Sequence, residues 1–202
     1  MAFTFFYRDS HVLDLLAHYF IPGVSGYKII KVWDAGCAMG PEPYTLAMIL
    51  ADKMGKFAFR NLRIDATDID ESQHFGETIE AGFYAEEMLR RIPRESLESY
   101  FEASEIPGMM RIVPLIRERV RFRRHDLLSL DPPGSSYHAV VCKNVLLHFS
   151  PEQRIDVLRM FHRALLPSGL LCMEHTQKLP AELIPLFRQL SGEAQIFESL
   201  GQ

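Results

Sequence analysis

Short apolar runs alternate along this chain with longer segments whose apolar residues recur at helical spacing. The first such pair is a β-branched and aromatic run at residues 27–33 and a helical pattern at 44–54. Runs of the first kind predict buried parallel strands, and the spacing of the second predicts helices. Further strands are predicted at residues 62–70, 120–126, 137–142 and 169–175, with an amphipathic helix at 151–166. This order predicts an α/β fold with a mostly parallel sheet and helices on both faces.

Three segments have weaker patterns. We interpret residues 195–200 as a final edge strand, 110–119 as a short hairpin and 81–101 as a helix-rich insertion. The start of the helix at 151–166 is better defined, because Ser150 is a suitable N-cap and Gln153 follows at the spacing of a capping box.

Length and composition favour one domain over residues 1–202. Of the 202 residues, 48% are hydrophobic and 24% charged, which suffices for one α/β core. The formal net charge of −4 argues against general nucleic-acid binding, and we interpret the basic run at 117–124 as a solvated strand face. The chain lacks both the roughly 20 apolar residues of a membrane helix and a signal-peptide pattern, so we expect a cytoplasmic protein without membrane insertion.

Cysteine and histidine spacing indicates no metal site. Cys37, Cys142 and Cys172 are an odd, widely separated set, and the eight histidines lack the spacing of zinc ligands. We therefore expect buried thiols and no bound metal.

The turn after the first predicted strand carries the strongest chemical signal. Gly36 and Gly40 allow backbone angles closed to other residues, and Pro41 suits the first helical position. Glu42 stands in the first helical turn, where a dinucleotide fold binds pyrophosphate, and its carboxylate would repel that group. S-adenosylmethionine, with a sulfonium, an ammonium and no phosphate, fits better. The alternative is a tight connection in which Glu42 is only a favourable first-turn acid.

The second predicted strand ends in acids. Ligands of open α/β sheets bind at the carboxyl ends of strands, where an acid can hold both ribose hydroxyls. Asp68 is the candidate for that role. Its alternative is an N-cap for the following helix, which Asp70 could provide instead.

Several motifs extend this picture along nearly the whole chain. They are VWDAGCAMGPEPYTLAM at residues 32–48, ATDID at 66–70, a segment ending at Tyr84, CKNVLLHF at 142–149 and LLPSGLL at 165–171. Together with TFFYRD at residues 4–9, they resemble the catalytic domain of the bacterial chemotaxis receptor methyltransferases. The resemblance implies a class I methyltransferase that uses S-adenosylmethionine. It also implies a Rossmann-like, seven-stranded sheet with an antiparallel last strand, and a chemoreceptor glutamate as the usual substrate.

The resemblance also implies roles for individual residues. Thr4 and Arg8 would close over the methionine end of the cofactor, and Glu42 would contact the same end. Asp68 would hold the ribose. The other implied cofactor-binding residues are Gly36, Cys37, Ala38, Ile69, Asp126, Leu127, Asn144 and Val145. The residues assigned to catalysis are Arg8, Tyr44 and His148.

Some of these assignments have alternatives. Arg8 could be a surface cation, and Asn144 could stabilise the turn after its strand. A carboxylate acceptor needs no strong general base, whereas an amine or hydroxyl acceptor would benefit from one. His148, His175 and Glu174 could supply that base, or they could be a helix-entry residue and edge polar residues.

Departures from the family pattern leave the acceptor open. The family's G-E-E-P-Y has Pro41 in place of its first acid, C-R-N-V has Lys143 in place of arginine, and I-Y-F has His148 in place of tyrosine. Where the family has N-L, this chain has Asp126-Leu127. Where the family has G-H-S-E, it has EHTQ at residues 174–177.

The chain also begins almost directly at the Thr4 signature, so we expect no N-terminal helical domain, and residues 177–195 leave little room for a receptor-tethering subdomain. The acceptor could therefore be a chemoreceptor or other protein carboxylate, or a small molecule. A non-catalytic module that binds S-adenosylmethionine is a third possibility.

Overall fold

The computed structural model describes residues 4–201. Its helices are α1 (Ser10–Gly23), α2 (Pro41–Met54), α3 (Lys56–Arg60), α4 (Phe75–Ala81), α5 (Arg94–Tyr100), α6 (Pro114–Arg117) and α7 (Pro151–Ala164). Its strands are β1 (Ile30–Ala35), β2 (Leu62–Asp68), β3 (Phe83–Ala85), β4 (Phe101–Ala103), β5 (Met109–Ile112), β6 (Val120–Arg124), β7 (Tyr137–Cys142), β8 (Leu165–Met173), β9 (Phe187–Gln189) and β10 (Gln195–Ser199). Short 3-10 turns lie at Glu86–Leu89, Leu127–Ser129, Leu146–His148 and Ala181–Leu186.

Seven strands form one sheet in the order β6-β2-β1-β7-β8-β10-β9. The pairs from β6 through β8 are parallel, and β10 runs antiparallel to both of its neighbours. This confirms the predicted seven-stranded, mostly parallel α/β fold with an antiparallel last strand. Because the strand order reverses between β1 and β7, a crevice is expected at the carboxyl ends of these strands.

The prediction of an edge strand at residues 195–200 is wrong in one respect. The strand exists as β10, but it lies between β8 and β9, and β9 forms the edge of the sheet. In β9 only Phe187 is buried, and the strand has three residues. A strand so short shows no apolar alternation in the sequence, so only its pairing with β10 reveals it.

The region between β2 and β6 contains a separate small sheet. β5 pairs antiparallel with β3 and with β4, so the predicted hairpin at residues 110–119 is wrong. Pro114 lacks a backbone N–H and instead begins α6, because its fixed φ suits the first helical position. The predicted helix-rich insertion contains α5, and β3 lies in it as well.

Apolar side chains fill both faces of the main sheet. On one face α1 and α2 pack over Val32 and Ile64. On the other face α7 packs over Trp33, whose ring meets Phe161 edge to face at 5.1 Å. The predicted helices on both faces therefore hold the strand ends in a fixed position.

The capping box of α7 is confirmed. Ser150 Oγ accepts a hydrogen bond from the Gln153 backbone N–H at 3.3 Å, and Gln153 Oε1 accepts one from the Ser150 N–H at 2.9 Å. The helix ends at Ala164 and β8 follows directly. Each helix described within residues 4–201 falls short of the length and apolar character that a membrane crossing requires.

Candidate active site

A cavity of about 680 Å³ lies where β1, β2, β6 and β7 end. Its walls are the turn after β1, the ends of β2 and β6, the segment after β7 and part of the N-terminal segment (residues 4–9). All cofactor-binding residues predicted from the sequence line it: Thr4, Arg8, Gly36, Cys37, Ala38, Glu42, Asp68, Ile69, Asp126, Leu127, Asn144 and Val145. The fold therefore brings this whole set together, and their individual roles stay predictions.

The glycine turn is held close to two neighbouring segments. Gly36 has φ +94°, and a Cβ on it would lie 2.2 Å from Val145 Cγ2, a distance that no side chain tolerates. The Gly36 and Cys37 N–H groups both donate to the Thr67 carbonyl, at 2.7 and 3.0 Å. The turn is therefore fixed against β2 on one side and the segment after β7 on the other, as a preorganised ligand site requires.

Asp68 is held at the cavity by the backbone. Its Oδ2 accepts from the Ala38 N–H and its Oδ1 from the Asp70 N–H, both at 3.0 Å. Each carboxylate oxygen has a further lone pair, so Asp68 can still accept hydrogen bonds from a ligand hydroxyl.

Asp70, rather than Asp68, accepts hydrogen bonds from the N–H groups at the start of α4. Its carboxylate accepts from the N–H groups of His74 and Phe75, at 3.2 and 3.1 Å, and from the Ser72 hydroxyl at 3.1 Å. Desolvation opposes ionisation, but these donors stabilise the carboxylate, and the net effect lowers the pKa of Asp70. The alternative for Asp68 as the cap of that helix is thus not supported.

A buried ion pair forms the floor of the cavity beside the start of α2. Lys143 Nζ lies 3.0 Å from Glu42 Oε2, and only 1% of the lysine side chain is exposed. The same ammonium lies 3.8 Å from the Asp9 carboxylate and donates to the Arg8 carbonyl at 3.4 Å. Burial favours the neutral amine, but the Glu42 carboxylate outweighs it, and the net effect raises the pKa of Lys143. The lysine is therefore a cation at neutral pH.

Asp34 is a second buried acid near this pair. It is fully buried, and neither carboxyl oxygen has a hydrogen-bond partner among residues 4–201. Burial raises its pKa well above the ordinary value, and the carboxylates of Glu42 and Asp68 raise it further, against the opposing effect of Lys143. Asp34 thus holds its proton to a higher pH in the folded protein than in the unfolded chain.

We expect Asp34→Asn to make stability less dependent on pH. The folded protein binds this proton more tightly than the unfolded chain, so stability falls as the pH rises above the unfolded carboxyl pKa of about 4. Asparagine keeps the shape and cannot ionise, so the stability of the variant relative to the native chain should be greater at pH 8 than at pH 5. Urea unfolding at both pH values measures this; an equal difference at pH 5 and pH 8 would contradict it.

The N-terminal segment is anchored to three parts of the fold. Phe6 is fully buried and meets Tyr84 and Phe101 edge to face, at 4.9 and 5.6 Å. The Tyr7 N–H donates to Thr45 Oγ1 at 3.0 Å, and Lys143 holds the Arg8 carbonyl. These contacts bring Thr4 and Arg8 to the cavity wall, which is where the family resemblance requires them.

Tyr44 is the exception among the predicted catalytic residues. It is fully buried and is absent from the cavity lining, and its hydroxyl donates to the Ile79 carbonyl at 2.6 Å. Burial raises the pKa of this hydroxyl, so it does not ionise near neutral pH. Tyr44 therefore joins α2 to α4, its position does not favour a catalytic role, and that role stays a prediction.

Of the three candidate bases, one reaches the cavity. His148 lies on the 3-10 turn after β7, is exposed and lines the cavity wall. Glu174 and His175 follow β8 and are not among the lining residues. Burial raises the pKa of Glu174, and neighbouring backbone N–H groups oppose that shift only in part. His148 is thus the base candidate that the geometry retains.

Two predicted residues also have local structural roles. Asp126 Oδ1 accepts from the Leu128 N–H at 2.9 Å and caps the 3-10 turn after β6. Asn144 has φ +60°, a backbone conformation that asparagine tolerates better than most residues. Both line the cavity, so their structural and ligand roles are compatible.

Sequence reasoning assigned no role to several cavity residues. They are Phe5, Thr45, Thr67, His125, Leu128, Lys143, Leu147 and Phe149. Lys143 is the most important of them, and the sequence marked it only as the residue that replaces the arginine of the family's C-R-N-V. A lysine directly after a fully buried strand itself indicates a buried ion pair, because its ammonium needs a partner there.

The comparisons with known proteins agree with this geometry. The family described as "CheR methyltransferase, SAM binding domain" matches residues 2–196. A 104.1 kDa protein of Rhodobacter capsulatus, described as uncharacterized, is 36% identical over 98% of this chain and 21% of its own length. "Chemotaxis protein methyltransferase 1" of Pseudomonas aeruginosa is 33% identical over 87% of this chain and 66% of its own. The chain thus spans about a fifth of the first relative and under two thirds of the second.

A solved structure supports the fold alone. "The structure of PKMT2 from Rickettsia typhi" is 15% identical, has a TM-score of 0.50 and covers 87% of this chain and 27% of that one. The family match confirms the predicted class of S-adenosylmethionine-dependent methyltransferases and its cofactor. With its glycine turn, its strand-end acids and this match over residues 2–196, the chain belongs to the CheR methyltransferase family, over the domain that binds S-adenosylmethionine.

Proposed function

We propose that the protein transfers the methyl group of S-adenosylmethionine to a side-chain carboxylate of another protein, with a chemoreceptor glutamate as the first candidate. One observation carries the proposal: a single cavity gathers Asp68, Glu42 and Arg8 at the carboxyl ends of the strands. The name of the Pseudomonas aeruginosa relative, a chemotaxis protein methyltransferase, supports methyl transfer in chemotaxis.

The residues fit this cofactor by the chemistry of their donors and acceptors. Asp68 has unused lone pairs for ribose hydroxyls, and Glu42 can accept from an α-ammonium. Arg8 is suited to the carboxylate at the same end. When bound, the cofactor supplies an electrophilic methyl group on a sulfonium.

The part left to the chain is placement. An ionised carboxylate is already a nucleophile at neutral pH, so the protein needs to align it with the methyl group and exclude water. No proton has to be removed from such an acceptor. This is consistent with a cavity whose lining histidines are the exposed His148 and the half-buried His125, of which Nε2 contacts the Asp131 carbonyl.

His148 supports the alternative acceptor. An imidazole at the cavity wall could take the proton of an amine or hydroxyl, which would give a small-molecule methyltransferase. The two functions differ in one readout: His148→Gln should leave methylation of a carboxylate unchanged between pH 6 and 8, whereas an amine methyltransferase should lose most of its activity.

Transfer of a labelled methyl group tests the proposal. We expect base-labile label on chemoreceptor protein or on peptides from its methylated helices. Stable label on a small molecule would favour the alternative, and binding of S-adenosylhomocysteine without any turnover would favour a non-catalytic module. Either stable label on a small molecule or binding without turnover would contradict the proposed reaction.

Arg8→Ala should impair this transfer. Loss of a charge-assisted contact to the methionine end is expected to weaken cofactor binding about tenfold or more. Titration calorimetry with S-adenosylhomocysteine measures the effect. Arg159→Ala is the control, because Arg159 is an exposed arginine that pairs with Asp156 on α7, away from the cavity. Equal affinities of the two variants would show that Arg8 is a surface cation.

A further inference from the structure

Two guanidinium groups lie against the aromatic ring of Phe5, which is on the cavity wall. Arg8 Cζ lies 5.9 Å from the ring centroid, and Arg91 Cζ lies 4.1 Å from it. Both distances are within the range of a cation–π contact. Arg91 comes from the insertion between β3 and α5, so a second part of the chain reaches the wall of the cavity here.

Within the part of the chain that the structure describes, Arg91 is oriented by an aromatic ring and not by a carboxylate. No carboxylate lies within ion-pair distance of it among residues 4–201, whereas Arg94 on the same segment pairs with Glu98 at 2.7 Å. Arg188 likewise pairs with Glu198 across β9 and β10. Stacking on an aromatic face orients a guanidinium and leaves its N–H edge available for an anion.

The charges inside the cavity show what such a cation would do. Glu42, Asp68 and Asp126 line the wall together with Lys143 and Arg8, but Lys143 is already paired with Glu42 at 3.0 Å and Arg8 is assigned to the cofactor, so an anionic acceptor still meets the carboxylates of Asp68 and Asp126. A cation at the mouth offsets that repulsion and draws the acceptor to the correct side. Arginine suits this task because its planar fork matches a carboxylate in two hydrogen bonds.

We propose that Arg91, stacked on Phe5, binds an anionic side chain of the methyl acceptor next to the group that is methylated. The protein then prefers acidic polypeptides, in which one carboxylate reaches the cavity and a neighbouring carboxylate contacts Arg91. This rests on the proposed function for the nature of the acceptor, but the anion site itself is independent of turnover.

Two synthetic peptides test the proposal in the presence of S-adenosylhomocysteine. One has a central glutamate flanked by glutamates, and the other has the same central glutamate flanked by glutamines. The native protein should bind the acidic peptide more tightly, by about three- to tenfold, the range of one exposed charge contact. Arg91→Met should remove that preference, and Arg94→Met, the matched control, should keep it.

Binding and transfer separate the two proposals. If the native protein shows no preference, or if Arg91→Met keeps it, the anion site is overturned. If the preference depends on Arg91 and no base-labile label appears on either peptide or on receptor protein, the anion site stands and the carboxylate reaction fails. If label appears, Arg91→Met should raise KM for the acidic peptide and leave kcat unchanged, since a rim contact contributes to docking rather than to chemistry.

Discussion

Replacing Asp68 with alanine is expected to weaken the binding of S-adenosylmethionine about 10- to 100-fold. A carboxylate that accepts hydrogen bonds from ribose hydroxyls contributes roughly 1–3 kcal/mol, and each 1.4 kcal/mol is a factor of ten in affinity. The effect should be large because the Ala38 and Asp70 N–H groups fix the orientation of the carboxylate before a ligand arrives. Titration calorimetry with S-adenosylmethionine and S-adenosylhomocysteine measures it.

Asp65→Asn is the matched control for this variant. Asp65 lies on the same strand and accepts from the Tyr137 hydroxyl at 2.7 Å, a bond that asparagine can keep. It is not part of the cavity lining, so its loss of charge should not change the affinity. Thermal unfolding of both variants without ligand checks that the strand is intact. Unchanged affinity of Asp68→Ala would show that Asp68 does not hold the ribose.

The second large effect is expected at Lys143. Lys143→Met removes the cation that faces Glu42 at 3.0 Å and leaves a carboxylate of which 14% is exposed. Breaking one side of a buried ion pair costs about 3–5 kcal/mol, because the remaining charge has lost its partner. The variant also frees the Arg8 carbonyl, so we expect weaker cofactor binding in addition. Urea unfolding and calorimetry measure the two effects.

Two further variants show whether the ion pair between Lys143 and Glu42 is responsible for the loss of stability. Lys143→Arg keeps the positive charge and should retain most of the stability. The double variant Glu42→Gln with Lys143→Met removes both charges, and it should recover part of the stability that Lys143→Met alone loses. A double variant that is less stable than Lys143→Met would contradict the pairing. So would a Lys143→Met variant as stable as the native chain.

Stability and cofactor binding meet in this one cluster. Lys143 contacts both the start of α2 and the N-terminal segment, so the ion pair that stabilises the fold also positions Arg8 and Glu42. Asp34 lies fully buried beneath the same helix start, and its charge state affects the cluster. We therefore expect the pH dependence of stability and that of cofactor affinity to change together in Asp34→Asn.

Much of the site could be predicted because its residues sit in local sequence signals. The turn after β1 contains Gly36 and Gly40, and both have the positive φ that the turn requires, +94° and +98°. Asp68 and Asp126 follow apolar runs that form β2 and β6, and parallel strands end on one edge of a sheet. Residues at strand ends therefore converge even when they are far apart in the chain.

Tyr44 shows that a motif does not bring all of its residues to one surface. It belongs to the same motif as Glu42, two residues earlier on α2. Successive helical positions differ by about 100° in direction, so a shared motif does not imply a shared surface. Glu42 faces the cavity, whereas Tyr44 faces α4 and donates to the Ile79 carbonyl.

By itself, the sequence determined the alternation of strands and helices, the glycine turn with its acid, the family and its cofactor. The strands, the helices and the glycine turn follow from periodicity and from short motifs, in which each residue constrains its immediate neighbours. The family and its cofactor follow from the resemblance of several motifs along the chain. The tertiary structure decided the order of β9 and β10, the partner of Glu42 and the position of Arg91 over Phe5. Glu42 and Lys143 are 101 positions apart in the sequence. Arg91 and Phe5 likewise belong to separate segments of the chain. Contacts of this kind arise only when packing brings separate segments together, and the periodicity of a single segment carries no record of them.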